Sequence, residues 1–165
     1  QDVITVGYSM GGTGAVLFAG PLGARAAVAF GPQISVSRRI IPEESRWTGF
    51  VDRIAAFRFE DLNDFMVDGP AYFVVHGSGG KDAHQICALR ARANLRHYVF
   101  PRRRHNIAVE LKEAEVLWPL IQAAEDGADA FDRIARSAGA VPRSEAGDVL
   151  QHLAERRAAR QAARG

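Results

Sequence analysis

Apolar residues in this chain fall first into short dense runs, each closed by glycine or proline. Val3-Ile4-Thr5-Val6 is β-branched throughout and ends at Gly7, and Ala26-Ala27-Val28-Ala29-Phe30 is closed by Gly31-Pro32. Ala71-Tyr72-Phe73-Val74-Val75-His76 leads into the loop Gly77-Ser78-Gly79-Gly80, and the run 95–100 is stopped by Pro101. Runs of this length without alternation predict strands buried on both faces, as in a parallel sheet.

Between the runs the spacing becomes helical. Gly12, Gly14, Ala15, Leu17 and Phe18 suit a helix over 11–19 packed closely on a sheet and stopped by Gly20-Pro21. A second helix is expected from residue 82 to about 94. Ile107, Leu111, Ala114, Leu117, Leu120 and Ile121 recur at helical spacing and predict one long closing helix. Residues 33–68, with Pro42 and Trp47, are irregular and read as loop with one or two short helices.

Four alternations of strand and helix predict the α/β class: a parallel sheet of about four strands, flanked by helices on both faces and joined by right-handed crossovers. Residues 1–125 form the expected domain. Residues 126–165 differ, being rich in Ala and Arg, with helices expected around 130–137 and 144–163 and only a thin stripe of Val149, Leu150 and Leu153. They read as a loosely docked helical tail.

The candidate chemistry begins at Gly7-Tyr8-Ser9-Met10-Gly11, a G-x-S-x-G pattern directly after a strand and directly before a helix. A sharp strand-to-helix turn leaves no room for side chains at Gly7 and Gly11, and it lifts the Ser9 hydroxyl above the sheet edge. The helix start aims its unpaired amides at the same point, so the Met10 N–H is a candidate oxyanion donor. A phosphate-binding loop is a poor alternative, because Gly7, Gly11, Gly12 and Gly14 fit neither G-x-G-x-x-G nor a Walker pattern with its lysine.

A serine hydroxyl needs a base, and of the five histidines His105 is the candidate. It follows the last strand at the side of a parallel sheet where sites form. His76 reads as a buried structural residue, His97 lies within a strand and His152 lies in the tail. The imidazole needs a carboxylate to fix its tautomer. Asp82, after the loop of the third strand, is the candidate, with a helix N-cap as its alternative reading. Asp61, Asp64 and Asp68 are the alternatives, but they precede the third strand and are expected on the wrong side or in a cap region. His84 is either exposed on its helix or a partner behind the site.

The order Ser9, Asp82, His105 and the motif Gly7-Tyr8-Ser9-Met10-Gly11-Gly12 resemble the α/β-hydrolase superfamily over residues 3–121, specifically the C-terminal portion of its fold. More narrowly, Ala29 to Val36, Asp82-Ala83-His84 and His105-Asn106 look like bacterial hydrolase-like proteins associated with surface polysaccharide regions. The resemblance implies a carboxylesterase-like serine hydrolase with no metal and no organic cofactor, acting on a small-molecule or glycan ester. It also implies that the first strands of the fold, and the loop giving a second oxyanion amide, precede Gln1. An acyltransferase to a glycan or thiol, and a non-catalytic module of the same fold, are the alternatives.

Composition adds exclusions. A formal net charge of +2 over 165 residues does not argue for a nucleic-acid partner. The run Arg102-Arg103-Arg104 reads as a solvated basic loop, with recognition of an anionic substrate as the alternative. One cysteine, Cys87, excludes a disulfide framework and a cysteine metal cluster, and it is expected as a small core residue. No run reaches the ~18 apolar residues of a membrane span and no signal-peptide pattern opens the chain, so the expected location is cytoplasmic, without a membrane partner.

Overall fold

The computed structural model describes residues 3–147 together with Gln151 and Glu155. Five strands form one sheet in sequence order: β1 (Ile4–Tyr8), β2 (Ala26–Phe30), β3 (Ala71–Gly77), β4 (Leu95–Phe100) and β5 (Val141–Pro142). The first four are parallel, with Gly7 beside Ala29 and Tyr8 beside Phe30 at the end where the site lies. β5 runs antiparallel to β4, pairing Val141 with Val99.

Every residue of β2 is buried, as expected where helices cover both faces. The two faces carry different side chains. Ala26, Val28, Phe30, Phe73 and Val75 pack on α4 (Ile107–Glu113), α5 (Leu117–Asp126) and α6 (Ala128–Ser137). Ala27, Ala29, Tyr72 and Val74 meet α1 (Met10–Ala19) and the 3-10 turn Leu62–Phe65. Alanines on this second face suit close approach, since only a methyl group separates sheet from helix.

The structure departs from the sequence expectations at four points. Residues 107–121 form two helices, because Glu115 adopts φ 59° and ends α4. The Val116 N–H donates to the Leu111 carbonyl and the Glu115 N–H to that of Lys112, a Schellman closure that apolar spacing cannot reveal. The helix expected over 82–94 stops early as α3 (Asp82–Ala88). Asn63 takes over its end: its Nδ2 donates to the Ala88 carbonyl, and its Oδ1 accepts from the Arg90 N–H.

Cys87 lies on the exposed side of α3 rather than in the core. Lastly, the segment after Asp126 is not loosely docked as far as Ala146. Phe131 and Ala135 of α6 are fully buried, with the Phe131 ring stacked on Phe73 at 4.5 Å, and β5 extends the sheet to five strands. Its Ala- and Arg-rich composition hides a normal apolar stripe at helical spacing. Arg143–Glu145 is a 3-10 turn, and the remainder of the helix expected over 144–163 lies outside the described residues apart from Ala146, Gly147, Gln151 and Glu155.

Residues 33–68 are mostly irregular, with a single-turn α2 (Thr48–Val51) and the 3-10 turn already named. Among the described residues no helix is long and apolar enough to cross a membrane.

Candidate active site

The C-terminal ends of the four parallel strands share one rim of the sheet, and each delivers a polar side chain there. Ser9 follows β1, Gln33 follows β2, Asp82 follows β3 and His105 follows β4. Ser9 is held at φ 55°, ψ −124°, a conformation costing about 1–3 kcal/mol in a residue with a side chain. Its N–H donates to the Phe30 carbonyl at 2.8 Å and its carbonyl accepts from the Thr13 N–H, so sheet and helix together impose the turn. A Cβ on Gly7 would stand 2.0 Å from the Gly11 carbonyl oxygen, so glycine is obligatory there. At Gly11 a Cβ meets nothing within 4 Å, so the steric reason expected for that glycine does not apply.

The three residues from separate loops meet at hydrogen-bond distance. Ser9 Oγ lies 2.8 Å from His105 Nε2, and His105 Nδ1 lies 2.9 Å from Asp82 Oδ2 and 3.0 Å from Oδ1. A carboxylate can only accept, so the ring proton is assigned to Nδ1, and the Nε2 lone pair is left facing the hydroxyl. Asp82 is buried at the start of α3, whereas His105 is partly open to solvent.

The His105 loop reaches this point because the loop after β3 yields room. A Cβ on Gly77 would come within 2.5 Å of the Arg103 carbonyl oxygen, and the Gly79 N–H donates to that oxygen at 2.7 Å. The Arg102 N–H donates to Ser78 Oγ. The basic run is thus used through its backbone, while the exposed Arg103 side chain pairs with half-buried Glu110.

Two residues join the site that sequence reasoning did not single out. Gln33 Nε2 donates to Ser9 Oγ at 3.2 Å, and its backbone is locked by mutual hydrogen bonds with Thr13 Oγ1. Its place straight after a strand end was the available signal. Arg46 Nη1 donates to Asp82 Oδ1 at 2.8 Å, and the same guanidinium grips Glu44 through Nε and Nη2. No periodicity in 33–68 marks it.

Burial works against the Glu44 charge, but Arg46 and then Gln85 outweigh it and hold the carboxyl below its ordinary range. Burial likewise opposes the Arg46 charge, and Glu44 with Asp82 keeps the guanidinium firmly protonated. Tyr8 stacks obliquely on His105 at 5.5 Å between centroids, and burial, helped by the Asp82 charge, raises its hydroxyl above the usual tyrosine value.

The other candidates lie elsewhere. His84 faces Glu43 at 3.9 Å, with burial pulling its pKa down. Asp61 caps the 3-10 turn through the Asn63 N–H and, with Asp64, pairs with Arg90. His76 and His97 form a buried pair, Nδ1 to Nε2 at 3.0 Å, anchored by the Pro32 carbonyl. Met10, first residue of α1, carries one of the amides that a helix start leaves unpaired. Among the described residues no group of three or more His, Cys, Asp or Glu side chains could hold a metal ion.

In comparisons with known proteins, no family model, no curated protein and no solved structure matched the chain.

Proposed function

We propose that the chain is a serine hydrolase of the α/β-hydrolase type, carboxylesterase-like, which works through an acyl-enzyme on Ser9. The observation that carries this reading is the continuous relay of Ser9 Oγ to His105 Nε2 at 2.8 Å and His105 Nδ1 to Asp82 at 2.9 Å. A structural serine in a tight turn has no need of an imidazole on its hydroxyl and a buried carboxylate behind that imidazole.

The chemistry follows from these positions. Ser9 Oγ attacks the ester carbonyl carbon while its proton passes to His105 Nε2. Asp82 holds the imidazole and stabilises the imidazolium that forms. The Met10 N–H, at the positive end of the α1 dipole, donates to the tetrahedral oxyanion. As that intermediate collapses, the alcohol leaves with the proton from Nε2. Water then gives a proton to Nε2 and attacks the acyl carbon, and collapse of the second intermediate frees the acid and restores Ser9. The Gln33 amide steadies the hydroxyl from its other side.

In Ser9→Ala, p-nitrophenyl acetate turnover is expected to fall by about a thousandfold or more. A loss below about tenfold, a barrier change near 1.4 kcal/mol, contradicts the proposal.

A further inference from the structure

We infer that the apolar cavity beside Ser9 is an acyl-chain pocket, and that the substrates are esters of straight aliphatic acids of medium length. The inference rests on the reading of Ser9 as nucleophile and adds the substrate class.

The cavity encloses about 430 Å³, within the range of small-molecule sites. Three of its lining residues adjoin Ser9: Met10 follows it in the chain, the Thr13 N–H donates to its carbonyl and Gln33 Nε2 donates to its hydroxyl. Its walls come from Leu17 of α1, from Ile34, and from the irregular segment through Trp47, Phe50, Ile54 and Phe59. Among the described residues, no charged side chain lines it. Among its polar side chains, Thr13 Oγ1 is bonded to the Gln33 backbone, Gln33 Nε2 donates to Ser9 Oγ, and Ser35 Oγ accepts from the Ser37 N–H. A sugar or phosphate would therefore find few partners there, whereas a hydrocarbon chain needs none.

Exposure points the same way. Met10 and Phe50 are each 70% exposed and Trp47 is 51% exposed, all lining this one hollow. Large apolar side chains left open together around a cavity mark a binding surface. The acyl group bonded to Ser9 is the occupant that the position selects, because the lining includes Gln33, which touches the nucleophile, and Met10, its chain neighbour. A chain of about eight carbons, each given about the 30 Å³ that a water takes in the liquid, fits with room to spare. α2 buries none of its own residues, so this wall is held less firmly than the sheet side.

The test is kcat/KM for p-nitrophenyl acetate, butyrate, hexanoate and octanoate with the full chain and with Ile54→Asp. The expected series rises about fourfold per added methylene from acetate to hexanoate, about 0.8 kcal/mol each. Ile54→Asp, which sets a carboxylate in the wall, is expected to lower hexanoate turnover at least tenfold further than acetate turnover. A flat series in the unaltered protein, or equal losses on both esters in the variant, overturns the pocket and leaves the Ser9 reading standing. No turnover of any ester overturns both.

Discussion

Glu44 and Asp82 present two carboxylates almost wholly removed from water, with side-chain exposures of 0% and 1%, and one guanidinium answers both. Breaking a buried ion pair by removing one partner leaves an uncompensated charge, at about 3–5 kcal/mol. Arg46→Met is therefore expected to lower stability by about that amount in urea titration, with Arg46→Met/Glu44→Gln recovering much of it. Arg38→Met, which breaks an open pair with Asp52, is expected to change stability by less than about 1 kcal/mol. Equal effects at the two positions would refute the argument. Ser9, Asp82 and His105 were legible as candidates because each follows a recognisable strand. Arg46 was not, because it lies in a stretch with no period, and its role depends on where folding brings Asp82.

Among the elements, the strands were the most readable, since a run such as Ala26–Phe30 is bounded by residues that cannot continue it. Helix ends were read less well. α3 ends where a side chain from a distant turn, Asn63, replaces its next hydrogen bonds, and no local signal records that. The break between α4 and α5 is set by Glu115 in a left-handed conformation that glycine adopts freely. Glu115→Gly is therefore expected to stabilise the protein by about 0.5–1 kcal/mol, read as a higher urea midpoint with an unchanged slope. A lower midpoint would show that the Glu115 side chain does more than tolerate the turn. In α6 the error was one of composition: Ala and Arg dominate the count, but Phe131 and Ala135 decide the packing.

The described residues form three layers, and the central sheet buries a histidine pair as well as apolar residues. In the folded protein burial lowers the pKa of His76, and it lowers that of His97 further, with His76 and then Arg143 adding to the effect. Around His76 the Asp82 charge and the Pro32 carbonyl oppose that shift, while Arg46 and His105 reinforce it. The unfolded chain thus takes up protons first as pH falls. Stability from these rings is fully present above the unfolded histidine value of ~6.5 and is lost as pH falls from there toward their lowered folded values. Urea unfolding is expected to show lower stability at pH 5.5 than at pH 7.5, and an unchanged midpoint would contradict this account.

The same layering sets four loops on one rim, and the central claim is that the rim makes Ser9 a nucleophile. Treating the full chain with a small fluorophosphonate and locating the adduct by peptide mass spectrometry tests it most directly. The account predicts one adduct, on Ser9, absent from Ser9→Ala and formed at least about a hundredfold more slowly in His105→Ala. An unmodified Ser9, or labelling equally fast without the imidazole, would contradict it.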